Sequence, residues 1–171
     1  VGMQPIIVHG GGKEINAAMS EAGLEPHFVE GLRYTDERTL AIAEHVLCGQ
    51  INKRLVAGLQ EFGCNAVGLH SLASCVVFGE RMYLEGAENR RIDIGFVGKV
   101  TEVNAQILRL LVQSDTIPVI APIARDRAGG RLNINADLAA GEVAAAVTAE
   151  KLVMLSDTHG IRADMKDPNS Y

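Results

Sequence analysis

Short apolar runs alternate with longer helical patterns along this chain, and that alternation restricts the fold more than any single motif does. Pro5–His9 reads PIIVH, a β-branched strand that runs straight into Gly10, Gly11 and Gly12. Lys13–Gly23 follows with Ile15, Ala18, Met19 and Ala22 at helical spacing, and Gly23 suits the helix C-terminus. Phe28–Thr35 reads as a loop or short strand. Asp36–Phe62 is a long helical pattern, with Leu40, Ala43, Val46, Leu47, Ile51, Leu55, Leu59 and Phe62 recurring every three or four residues. Asp36 is a suitable N-cap, and Glu37 adds negative charge to the first turn.

The second half repeats the alternation. Ala66–Leu69 and Cys75–Phe78 are short strand candidates, and Ile92–Val100 alternates around Gly95 and Gly98. Glu102–Ser114 reads as a helix. Ile117–Ile123 is an apolar run of the kind buried on both faces of a sheet. Gly129-Gly130 marks a tight turn before a short strand at Arg131–Asn135. Leu138–Glu150 reads as an Ala-rich helix, and Lys151–Ser156 as another buried strand. Strands alternating with helices predict an α/β fold: a three-layer αβα sandwich around a mainly parallel sheet.

Composition narrows the function classes. The 171 residues suffice for one domain with a real core. The net charge is −5, and no Lys/Arg run forms a basic face, so nucleic acid is not an expected partner. No apolar stretch reaches membrane-spanning length, and no signal peptide opens the chain, so a cytoplasmic location is expected. Cys48, Cys64 and Cys75 form no CxxC and no zinc-like spacing with histidine, so reduced thiols and no metal site are expected. The chain opens on Val1-Gly2 and closes on a loop after Lys151–Ser156, a strand with no crossover following it. We therefore expect a segment of a longer α/β protein, the alternative being a complete compact domain.

Four constellations could carry chemistry. The first is the strand, Gly10-Gly11-Gly12 and the helix behind it. Glycines let a ligand approach the backbone, and free N–H groups with the helix dipole favour an anion; a plain tight turn is the alternative. It is neither a Walker A loop nor a GxGxxG fingerprint. The second is Gly31–Asp36 (GLRYTD), where Arg33 could clamp a carboxylate or merely be solvated. The third is Asn133–Asp137 (NINAD). In an extended chain Asn133, Asn135 and Asp137 share one face, and Asn135 or Asp137 could equally cap a helix. The fourth, Ser156–Ile161 (SDTHGI), lies past the carboxyl end of an expected strand, where open α/β sheets place ligands. It could also be a simple Asp-containing turn.

These pieces, in this order, resemble the N-acetylglutamate kinases of the amino-acid kinase family. The stretches that carry the resemblance are IIVHGGGKEIN (6–16), GLRYTD (31–36), INKRLV (51–56), GFVGKV (95–100), IPVIAPI (117–123), LNINADLAAGEVA (132–144) and EKLVMLSDTHGI (150–161). The resemblance implies a substrate lobe over 1–150 and the start of an ATP lobe over 151–171. It implies ATP-dependent phosphorylation, with Mg²⁺, of the side-chain carboxylate of N-acetyl-L-glutamate in arginine biosynthesis. By position, Gly11 and Gly12 contact the substrate and the migrating phosphoryl, Arg33 grips the α-carboxylate and Asn133 holds the N-acetylglutamate. Asp137 organises catalytic lysines. Asp157, Thr158, His159, Gly160, Ile161 and Arg162 begin the nucleotide site. A homodimer through substrate lobes is also implied, with the Asp36–Phe62 helix as our interface candidate because its apolar positions exceed one core face.

Three departures from the family pattern accompany it. The first strand with its Lys-Gly-Gly is not in this chain, nor is a second lysine of the ATP lobe, so these 171 residues are not expected to turn over alone. Gly68–Ser74 reads GLHSLAS where the family has a Gly-Leu-Ser-Gly-x-Asp-Gly-like stretch. The alternatives are a sibling kinase acting on N-acetyl-aminoadipate or glutamate, a non-catalytic ligand-binding module derived from such a kinase, and a plain structural α/β domain.

Overall fold

The structure, a computed structural model, describes residues 2–70, 74–86, 90–155, 163, 164, 167 and 170. Its centre is a three-stranded parallel sheet with β7 (Ile117–Ile120) between β1 (Ile7–Val8) and β4 (Ala66–Leu69). The run Val119-Ile120 is fully buried because helices cover both faces. On one side α1 (Gly12–Glu21) and the long helix bury Ile15, Met19, Val46, Leu47 and Ile51. On the other, α4 (Ala105–Gln113) and α5 (Ala136–Val147) pack Leu108, Ala139 and Val143 against Leu69 and Ile120. This is the expected three-layer sandwich.

A second body of strands leans on the sheet. β5 (Val77–Glu85), β6 (Arg91–Val103), β8 (Ile123–Arg125) and β9 (Arg131–Ile134) close into a small barrel. The apolar run 117–123 is therefore two strands in two sheets. It breaks at Ala121-Pro122, where proline cannot donate to a ladder and its carbonyl instead accepts from the Ile134 N–H. The Gly129-Gly130 turn joins β8 to β9, and the Asp126 carboxylate accepts from the Ala128 and Gly130 N–H groups. A short hairpin, β2 (Phe28–Val29) and β3 (Leu32–Arg33), is stitched to the barrel through Thr35 and Gly95.

Helix ends follow the sequence closely. The chain leaves α1 through Gly23 at φ 69°, with the Leu24 N–H donating to Met19 and the Gly23 N–H to Ser20, the Schellman arrangement. Asp36 caps the next helix by accepting from the Thr39 N–H at 2.7 Å. Asn104 caps α4, so the helix expected from Glu102 begins at Ala105 while β6 runs on to Val103.

Two further expectations are corrected. The Asp36–Phe62 pattern is not one α-helix: α2 (Glu37–Glu44) and α3 (Asn52–Glu61) flank a π-helical stretch, His45–Ile51. Its wider turn brings Val46, Leu47, Cys48 and Ile51 into one core. Leu55 and Leu59 remain half-buried, and Phe62 at the end of the stretch is exposed. The buried strand expected over Lys151–Ser156 does not form across its described part, 151–155. Leu152, Val153, Met154 and Leu155 are all exposed. An apolar run is buried only where a sheet edge and a covering helix receive it, and no described element does so here. Among the described residues no helix is long and apolar enough to cross a membrane.

Candidate functional site

Two helix N-termini and one buried arginine converge on a single cleft. Gly10, Gly11 and Gly12 form one wall, Gly31–Arg33 another, and Asn133–Ala136 a third, with Ile15, Phe28, Leu47 and Pro122 supplying apolar surface. The volume, about 210 Å³, suits a small metabolite rather than a larger ligand. Helix α1 starts at Gly12 and α5 at Ala136, so the positive ends of two dipoles face the cleft, and α1, which has no side-chain cap, adds the N–H groups of Gly11 and Gly12. Gly10 lies against the start of α5: a Cβ there would sit 3.6 Å from that of Ala136, an ordinary van der Waals contact.

Arg33 is the unusual group. It is 9% exposed, and among the described residues it pairs with no carboxylate. Its guanidinium donates to the Gly12 carbonyl at 3.2 Å and to the Met19 sulfur at 3.3 Å, and sits 4.8 Å from the centre of the Phe28 ring. Burial lowers its pKa, yet an arginine stays charged at any physiological pH. A buried cation with no counter-ion is unfavourable unless a ligand supplies the charge. No acidic side chain lines the cleft among the described residues.

Asn133 is held by a short relay. Its Nδ2 donates to Thr35 Oγ1 at 3.2 Å, and that hydroxyl donates to the Arg33 carbonyl at 2.8 Å. Thr35 is fully buried, with its backbone N–H on Ile94 and its carbonyl accepting from Phe96 of β6. Gly95 makes this possible. A Cβ there would overlap the Thr35 carbonyl, and its φ of 79° suits glycine.

The structure places Gly11, Gly12, Arg33 and Asn133 around one cleft. Asn135 turns out to be the helix cap, its Oδ1 accepting from the Asp137 and Leu138 N–H groups at 2.9 and 3.0 Å. Asp137 sits exposed in the first turn of α5, beside the cleft rather than lining it. Residues 157–162, the expected start of a nucleotide site, lie outside the described residues, as does Ser71–Ala73 of the GLHSLAS stretch. Among the described residues no group of three or more His, Cys, Asp or Glu could hold a metal ion.

Four contributors were missed. Thr35 orients Asn133, Phe28 stacks on Arg33, and His9 with Asn52 lies behind the glycine loop. Asn52 carried a signal: it is a polar residue at a buried position of an apolar helix face, and such residues are buried when something needs their hydrogen bonds.

Comparison with known proteins identifies the family. The amino acid kinase family model matches residues 1–171. The acetylglutamate kinase of Methanococcus maripaludis strain C7 is 45% identical over 99% of this chain and 59% of its own length. That of a Synechocystis species is 48% identical over 99% of this chain and 55% of its own. The chain therefore spans a little under three-fifths of the relatives it matches. Among solved structures, the smu.665 protein of Streptococcus mutans UA159 superposes with a TM-score of 0.80 at 32% identity, over 91% of this chain and 60% of that one. The N-acetylglutamate synthase of Neisseria gonorrhoeae, with coenzyme A and L-arginine, shares the fold at TM-score 0.78 and 24% identity, over 95% of this chain and 38% of that one. On the sequence match along its whole length, the chain belongs to the amino acid kinase family.

Proposed function

We propose that this chain is the substrate-binding part of a kinase that transfers phosphate from ATP to the side-chain carboxylate of N-acetyl-L-glutamate. The observation that carries the proposal is Arg33: a buried guanidinium with no acidic partner among the described residues, facing a cleft into which two helices point their N-termini. The relatives' name supplies the substrate. In this reading Arg33 takes the α-carboxylate as a two-toothed clamp, and the Asn133 amide binds the acetylamino end. The apolar wall of Ile15, Phe28 and Leu47 lies along the carbon chain.

The side-chain carboxylate then lies near the N–H groups of Gly11 and Gly12. One of its oxygens attacks the γ-phosphorus of ATP, a new O–P bond forms as the bond to the leaving ADP breaks, and the product is an acyl phosphate. Positioning and charge neutralisation do most of the work in such a transfer, and backbone N–H groups already aimed at the developing charge require no reorganisation. Mg²⁺ enters with ATP. Asp137, beside the cleft, organises the cations that stabilise the transfer, and Asp157–Arg162 begin the nucleotide side. Residues 1–150 make the substrate lobe and 151–171 lead into the ATP lobe of a cytoplasmic enzyme of arginine biosynthesis that pairs as a homodimer.

Calorimetry tests the substrate assignment: N-acetyl-L-glutamate is titrated into the chain with glutamate and N-acetyl-aminoadipate alongside. Saturable binding of N-acetyl-L-glutamate, weaker binding of the other two and loss in Arg33→Ala are the expected results. A folded chain that binds the longer or the unacetylated acid better would replace the substrate. One that binds none of the three would refute the site.

A further inference from the structure

We propose that His9 and Asn52 are positioning residues for the glycine loop, fixing which way the Gly10–Gly11 peptide faces and so aiming the Gly11 N–H into the cleft. The proposal rests on the reading of that cleft as an anion site. Neither residue lines the cleft itself.

The argument starts from an acceptor of known polarity. One terminal atom of the Asn52 side chain lies 2.9 Å from the Val119 carbonyl oxygen of β7. A carbonyl only accepts, so that atom is the amide nitrogen. The same nitrogen lies 3.2 Å from His9 Nε2. With one N–H on Val119, its second N–H faces the imidazole, and Nε2 must accept. The ring proton therefore resides on Nδ1, which stands 3.0 Å from the Gly10 carbonyl and donates to it. One tautomer satisfies every contact, and neutrality is enforced as well: a proton on Nε2 would confront the Asn52 N–H. Burial also holds the His9 pKa below its ordinary value, against the smaller opposing pull of the Gly10 bond and Glu14.

The consequence lies in the next bond. A trans peptide points its C=O and its N–H in opposite directions. Drawing the Gly10 carbonyl back onto His9 turns the Gly11 N–H the other way. The Gly11 carbonyl is in turn taken by the Ile15 N–H at 2.9 Å, which sets the next peptide. Among the described residues neither the Gly11 nor the Gly12 N–H has an acceptor. The relay is anchored in the middle of the sheet through Val119 of β7, and Asn52 fits there because position 68 of the neighbouring β4 is glycine. A Cβ there would overlap Asn52 Oδ1 and lie 3.2 Å from its Cγ.

Two measurements test this. The first is a ¹⁵N-edited NMR correlation of the imidazole rings in the ligand-free protein. A His9 ring protonated at Nδ1 and bare at Nε2 across the neutral range is expected, and an Nε2–H tautomer would overturn the relay. The second compares two variants. Asparagine carries its amide where histidine carries Nδ1, whereas glutamine carries its amide where histidine carries Nε2. His9→Asn is expected to keep the Gly11 amide resonance in place and affinity for N-acetyl-L-glutamate within about threefold, while His9→Gln displaces that resonance and loses roughly tenfold. A role in packing alone gives the reverse order, since glutamine fills the ring's space better, and that order refutes the proposal. The tautomer and the Gly11 resonance are read without ligand. They decide the relay even if N-acetyl-L-glutamate does not bind the wild-type chain, a result that would overturn the substrate assignment alone.

Discussion

Replacing Arg33 with alanine should separate binding from stability in a way that few buried arginines allow. In the free protein the guanidinium is desolvated, with no carboxylate among the described residues to compensate it. Its bond to the Gly12 carbonyl and its stacking on Phe28 recover part of that penalty. Removing the side chain gives up those contacts and also relieves the uncompensated charge, so the two effects oppose each other. We expect a net change of about 1 kcal/mol, a shift in Tm of roughly 2–4 °C for a chain of this size. Ligand binding has no such offset. A carboxylate left facing an alanine forfeits a buried charge pair, a loss of about 2–5 kcal/mol. That is roughly thirtyfold to several thousandfold in Kd. Calorimetric titration and thermal unfolding of both proteins supply the two numbers. Arg33→Lys should fall between, since an ammonium keeps the charge and loses the planar fork. Unchanged affinity in a folded Arg33→Ala protein would refute the assignment, and so would wholesale unfolding, which would make Arg33 a structural residue.

Other substitutions probe the scaffold. Gly95→Ala should destabilise by about 3 kcal/mol or more in denaturant titrations, because the new Cβ meets the Thr35 carbonyl, a backbone atom that cannot rotate away, at a positive φ. Gly11→Ala should lower affinity as well as stability, the latter by about 1–3 kcal/mol, since its Cβ would overlap Ile51 Cδ1 and come within 2.9 Å of Leu47 Cδ2. Asn135→Ala removes the cap of α5 and should lose about 0.5–2 kcal/mol by the same assay. Asp36 contributes a pH dependence. The Thr39 N–H holds its carboxyl below the usual value, so the stability it confers is present above the unfolded pKa and fades as the pH falls through the folded one. Asp36→Asn should flatten that part of the acid unfolding profile, which thermal scans across the acid range will show.

Local signals in the sequence carried far because local physics fixed them. Gly23, Asp36 and Asn135 end or begin helices through bonds to neighbours a few residues away, and their types announce it. The glycine loop, Arg33 and Asn133 could be named as site candidates because glycine after a strand, arginine in a loop and asparagine beside a helix start each have few purposes. What stayed hidden depends on distant partners. Whether Ile117–Ile123 is one strand or two turns on Pro122 meeting Ile134, and the apolar run at 151–155 carries no sign of whether a sheet edge awaits it. The π-helical stretch is equally silent, since Val46, Leu47 and Ile51 read as helical at either pitch. His9 and Asn52 are 43 residues apart, and only the parallel pairing of β1 and β4 with β7 makes them neighbours.

The cleft lies on the seam between the sandwich and the barrel, and its side chains are held from both sides. Gly11 and Gly12 belong to the sheet and α1, whereas Asn133 belongs to β9 of the barrel. Arg33 links the two: its guanidinium bonds to the Gly12 carbonyl, and its own carbonyl accepts from Thr35, which is locked to β6 and receives Asn133. A shift of the barrel against the sheet would therefore move Asn133 and the Arg33 backbone together while leaving the glycine N–H groups in place. Such a shift alters the distance between the two ends of a bound acid, not the chemistry at either end. If the proposed function holds, this seam is sensitive to the length of the bound acid. On the proposed function, the diacid one methylene longer, N-acetyl-aminoadipate, should bind more weakly and fall further behind still in turnover by the full-length protein, because it keeps its hold on Arg33 and loses alignment at Gly11. Equal turnover of both acids would show that the seam yields freely.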